Sequence, residues 1–144
     1  MSESRFEVRF DPDAKDEYDT LDNSVIDMVD DFIEKLETRA DEIGKPLQNK
    51  HATRLHGCKE FKLKKAGIRI VFRVTEETVD ILKIVYILTI EKRDADRVFR
   101  VANVRLTRFR GQADRQGYLR KTEHWNGRRR AGVTKANNRK RPKF

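Results

Sequence analysis

Between Val79 and Ile90 the chain reads Val-Asp-Ile-Leu-Lys-Ile-Val-Tyr-Ile-Leu-Thr-Ile, a stretch apolar at successive positions rather than at alternate ones. It includes Lys83 and is about half the ~20 residues that a membrane helix requires, so no membrane span is expected from it. The remaining solution is a central strand covered on both faces. The rest of the chain must then supply a layer above this strand and a layer below it.

The neighbouring segments supply candidates for those layers. Phe61 and Leu63 alternate with Lys62 and Lys64, Ala66-Gly67 offers a turn, and Ile68, Ile70, Phe72 and Val74 alternate with Arg69, Val71 and Arg73, the period of half-buried strands. Glu76-Glu77 reads as the polar turn into the central strand. Upstream, Phe6, Val8 and Phe10 alternate with charged residues, and Asp11-Pro12 starts a short helix carrying Ala14, Tyr18 and Leu21 on one face. A second helix follows, with Val25, Met28, Val29, Phe32, Ile33, Leu36, Ala40 and Ile43 at spacings of three and four, stopped by Gly44-Lys45-Pro46. Asp94 caps a last core helix with Ala95, Val98, Phe99, Ala102 and Leu106 inward. The fold class is therefore α+β: an N-terminal strand, a two-helix hairpin packed on an antiparallel sheet built as a three-strand meander, and a C-terminal helix.

From Thr107 the periodicity fades and glycines recur, so the sequence divides into a domain over 1–106 and a basic C-terminal extension over 107–144, with a short helix expected between Gln112 and Lys121. Charge follows the same division. Of the 144 residues, 1–42 balance to −10, 43–106 to +8 and 107–144 to +11. Such a distribution points to a polyanionic partner, because Lys and Arg that neutralise phosphates release condensed counterions. A membrane surface fits less well, since the extension has no long apolar face. With one cysteine, Cys58, and no apolar signal sequence at Met1–Phe10, a reducing cytosol is the expected setting.

The cations concentrate chemically as well. Lys62, Lys64, Arg69 and Arg73 fall on adjacent strands with no acid between Phe61 and Thr75, and Arg93 follows the central strand. Crowded like charges suit a bound polyanion and lower a lysine pKa toward a range useful for proton transfer. His51, His56 and Cys58 do not have a standard zinc spacing, so no metal site is expected. Gly111–Gly117 lacks the preceding strand and the Lys-Ser/Thr ending of a phosphate loop. Tyr18 and Tyr86 sit at core-periodic positions, whereas Tyr118 and Trp125, among the cations of the extension, are candidates for stacking on bases.

Leu55-His56-Gly57, Phe61-Lys62-Leu63-Lys64, Gly67-Ile68-Arg69-Ile70-Val71-Phe72 and Lys92-Arg93 before a helix, in this order, resemble the RelE/ParE toxin superfamily over about residues 5–106. The resemblance to its RelE branch implies a toxin of a toxin–antitoxin pair that cleaves messenger RNA in the ribosomal decoding site, without metal or cofactor. It implies Lys62, Lys64, Arg69 and Arg93 as catalytic residues. The RNA 2′-hydroxyl attacks its own 3′-phosphate, a lysine assists deprotonation, and the arginines hold the phosphate and its growing charge. Arg73 and Phe99 join Tyr118 and Trp125 as candidate substrate contacts. Phe99 stands where the family has a tyrosine, and a phenyl ring can stack on a base but cannot pass a proton.

The implied partners are messenger RNA, the ribosome and a cognate antitoxin protein, with a hetero-oligomer formed by the last. Two other functions compete: a non-cleaving gyrase poison resembling the ParE branch, which generally lacks the basic set, and an accessory nucleic-acid-binding or ribosome-binding protein on the same fold. The extension grips RNA, folds back on the acidic helices, or is a passive and partly disordered tail. Its aromatic residues among cations favour RNA.

Overall fold

The apolar run becomes β7 (Leu82–Glu91), and in the computed structural model, which describes residues 4–50, 53–92 and 94–128, both of its faces are covered. Val85, Ile87 and Ile90 enter one core with residues of α1 (Pro12–Asp19) and α2 (Asn23–Arg39). Ile84, Tyr86 and Leu88 enter a second core with α3 (Ala95–Arg110) and α4 (Arg115–Arg120). Helices thus lie on both sides of one sheet, and the chain is α+β as its patterning predicts.

The sheet has the order β1-β7-β6-β5-β2, with β1 at Phe6–Phe10, β2 at Lys45–Pro46, β5 at Cys58–Leu63 and β6 at Ile68–Val79. A small hairpin of β3 (Asn49–Lys50) and β4 (Thr53–Arg54) stands apart from it. β5, β6 and β7 form the expected antiparallel meander. β1 lies parallel to β7, with Val8 opposite Val85, so the complete sheet is mixed.

Two irregularities correct the simple alternation. Between β6 and β7 the pairing steps from Val71–Thr89 to Phe72–Ile87, leaving Leu88 as an extra residue; this bulge lets Ile87 and Ile90, three apart, share one core. The turn expected at Glu76-Glu77 is instead a second register shift inside β6, where the Thr75 hydroxyl donates to Ile84 O at 2.8 Å and accepts from the Glu77 amide at 3.2 Å. The reversal comes at Asp80-Ile81, with Asp80 in the left-handed region at φ 53°, a conformation that Asp tolerates better than most residues.

Residues past 106 are the larger correction. α3 runs through the boundary expected there to Arg110, placing Phe109 in the second core, and α4 adds Leu119. The chain then lies against β1: the Phe10 amide donates to Glu123 O at 2.9 Å and the Trp125 amide to Val8 O at 2.8 Å. Trp125 is only 6% exposed. Its indole Nε1 donates to Asp30 Oδ1 at 3.1 Å, and the Tyr18 hydroxyl donates to the same oxygen at 2.6 Å. Arg128 pairs with Asp31 at 2.6 Å and Glu34 at 2.9 Å on α2. Up to Arg128, the extension folds back on the acidic helices.

Candidate functional site

Where β5 turns into β6 and β7 gives way to α3, Lys62, Lys64, Gly67, Arg69, Lys92 and Asp94 line a cleft of about 270 Å³. Strand parity explains why they meet. Ile68 and Ile70 are committed to the first core, so Arg69 faces the α3 side, directly opposite Lys62 in register. Lys64 stands beyond the end of β5 in a tight turn that Gly67, at φ 67°, closes with an amide hydrogen bond to Lys64 O at 3.2 Å. Asp94 caps α3 by accepting the Arg97 amide at 3.1 Å, which fixes the far wall.

Sequence reasoning missed Glu60. It lies two residues before Lys62, hence on the same face, and its carboxylate accepts from Arg69 Nη1 at 2.5 Å. Glu60 is 5% exposed and Arg69 24%. A carboxylate therefore enters the cationic group from one position upstream of the acid-free stretch. It holds one end of the guanidinium and leaves Nε and Nη2 for another acceptor. The signal was legible, because β5 alternation places Cys58, Glu60 and Lys62 on one side.

Other expected contacts lie elsewhere. Arg73 is opposite Cys58 at the other end of the β5–β6 pair, where Nη1 donates to His56 O at 3.2 Å. Gly57, at φ 95°, passes so close that a Cβ there would come within 2.5 Å of Arg73 Nη1. Burial pushes the Cys58 thiol pKa up despite that neighbouring charge. Phe99 is partly buried against the second core. Tyr118 packs at the same core, its hydroxyl 3.3 Å from that of Tyr86. Trp125 is in the first core, so stacking it on a base would require opening the fold. Arg93, with His51, lies outside the described residues.

Beside the cleft, β1 ends at Phe10 and leaves the last residues of β7 without a strand on that side. Glu17 and Arg105 cover this edge: Glu17 Oε1 accepts the Ile90 amide at 3.0 Å, and Arg105 Nη1 donates to Leu88 O at 2.8 Å. Burial, together with a hydrogen bond to Glu91, raises the Glu17 pKa although Arg105 works against it.

No family model matches the chain, and no curated protein matches it. Among solved structures, it is similar to a mutant of the E. coli toxin RelE in the free state, at 21% identity and TM-score 0.52, over 72% of this chain and 99% of that one. The isolated E. coli RelE toxin matches at 24% identity, TM-score 0.46, over 70% and 98% of the two chains. A RelE mutant in complex with an antitoxin RelBc peptide matches at 23%, TM-score 0.42, over 68% and 94%. With its mixed sheet between two helical layers, the chain has the RelE toxin fold.

Proposed function

We propose that this chain is a toxin of the RelE type, a cytosolic endoribonuclease that cuts messenger RNA on the ribosome by attack of the 2′-hydroxyl on the adjacent phosphate. The observation that carries the reading is the convergence of Lys62, Lys64 and Arg69 on one cleft, with Arg69 fixed by a buried carboxylate. Catalysis of this kind needs positioned charge more than a protein nucleophile. Lys62 or Lys64 assists removal of the 2′ proton, and Arg69, with Arg93, binds the phosphate as its negative charge grows. Glu60 acts through Arg69 as a positioning residue.

An open cationic cleft of this kind is harmful when uncovered. The reading therefore requires a cognate antitoxin that lays an acidic or amphipathic segment over Lys62, Lys64 and Arg69. A second reading, an accessory RNA-binding or ribosome-binding protein without catalysis, is favoured by one observation: the ring of Phe99 packs on the core. Adding the chain to a cell-free translation reaction and mapping message 5′ ends separates the two. Cuts within codons that appear only with ribosomes support cleavage, and intact message with stalled translation supports the accessory reading. Cleaved DNA accumulating with gyrase would turn the assignment to the ParE type.

Phe99 gives a narrower test. Its partial burial predicts that Phe99→Ala loses about 2 kcal/mol of stability, below the range for a fully buried ring, while activity per folded molecule is kept. Chemical denaturation with parallel rate measurements checks this. A stable but inactive variant would return Phe99 to substrate contact.

A further inference from the structure

We propose that Arg73, Arg110 and Arg115 form a second subsite, away from the cleft, that binds a phosphodiester of RNA. The inference rests on the functional reading above for the identity of the polyanion. Its own support is a contrast among the arginines. Arg5, Arg39, Arg69, Arg105 and Arg128 each pair with a carboxylate. Among the described residues, Arg73, Arg110 and Arg115 have no carboxylate in ion-pair reach.

Among the described residues Arg97, Arg100 and Arg120 have no such ion pair either; Arg73, Arg110 and Arg115 differ from them in that their guanidiniums are held by backbone carbonyls. Arg73 Nη1 donates to His56 O at 3.2 Å, Arg110 Nη1 to Arg54 O at 3.1 Å, and Arg115 Nη2 to Arg110 O at 3.2 Å. A carbonyl orients a guanidinium but leaves its charge uncompensated. Burial, then the charge of Arg73 and that of Arg115, pull the Arg110 pKa down, which marks the crowding. The acid nearest in sequence, Asp114, is occupied capping α4, where it accepts the Gly117 amide at 2.9 Å. Fixed, fork-shaped donors without a counter-charge match the oxygens of a phosphodiester.

The position fits a strand that also occupies the cleft. Arg73 and Arg69 are four residues apart on β6, about 13 Å at the usual rise of a strand. Arg110 and Arg115 project from the end of α3 and the start of α4, the opposite end of α3 from Asp94.

The test is the full-length double variant Arg110→Gln/Arg115→Gln, with Arg73 kept because Gly57 packs on it. Affinity for labelled single-stranded RNA and for ribosomes is measured across a salt series, beside wild type and Arg39→Gln, which lies on the α2 side of the sheet. Losing two contacts should reduce the slope of log affinity against log salt by about 1.4 for a single strand, and Arg39→Gln should leave it unchanged. A smaller slope on RNA alone assigns the phosphate to a bound single strand, and one seen only with ribosomes assigns it to ribosomal RNA; both support the subsite. Coincident slopes on both, with RNA binding intact, overturn it. Absence of RNA and ribosome binding by the wild type overturns the functional reading as well.

Discussion

Arg69→Ala should reduce RNA cleavage on the order of 100-fold or more, the scale of losing a preorganised donor to a developing anion, and should also destabilise the fold. A cation that merely decorated the sheet would cost nothing. Arg69 is instead the partner of Glu60, which is 5% exposed, and its removal leaves a buried carboxylate without its counter-charge. That penalty is about 2 kcal/mol, below the figure for a fully buried pair because Arg69 keeps contact with water. The double variant Glu60→Gln/Arg69→Ala removes charge and partner together. It should recover most of the denaturation midpoint and none of the cleavage. Full cleavage by Arg69→Ala at matched folded concentration would dismiss the catalytic assignment. An unchanged midpoint would dismiss the structural role of the pair.

Deleting everything after Leu106 should abolish cooperative folding. The fragment lacks the last turn of α3 and, with it, Phe109, Leu119 and Trp125, all buried in the two cores. Trp125→Ala alone should cost about 3–5 kcal/mol, the usual range for emptying a buried aromatic site, and it also withdraws a donor from Asp30. Circular dichroism melts of the 1–106 fragment, the Trp125 variant and the full chain measure both effects. A 1–106 fragment that melts cooperatively near the full chain's temperature would show that the contacts at 109–125 are dispensable. Binding experiments on the basic terminus therefore need a fragment ending at Arg128.

The sequence was most informative where structure is local. The apolar stripe of α2 and the alternation of β5 and the first part of β6 are set by neighbours a few positions apart and appear as read. The run read as one strand from Val79 to Ile90 is instead divided by the reversal at Asp80-Ile81, so that Val79 closes β6 and β7 begins at Leu82. Pairings between distant segments leave no local period. Nothing around Phe6–Phe10 says that it lies parallel to β7, and Trp125, between His124 and Asn126, carries no periodicity to mark it as core. The bulge at Leu88 was illegible because an extra residue has no signature in a continuous apolar run. In the site, parity brought Lys62 and Arg69 together as expected. The same parity, extended two residues back, would have found Glu60.

β1 also has a history that the finished sheet hides. Val8 pairs with Val85 and Arg9 with His124, 77 and 115 residues later. It is the first strand of the sheet to be synthesised and among the last to be fully flanked, since its neighbours on both sides arrive late. Chains whose contacts span such separations fold slowly, because loop closure must precede the contacts that reward it. Until then β1 offers a bare edge carrying Phe6, Val8 and Phe10, the kind of transient surface on which partly made chains associate. Conditions that slow the arrival of residues 123–125 should favour aggregation during synthesis, even where the completed protein is stable.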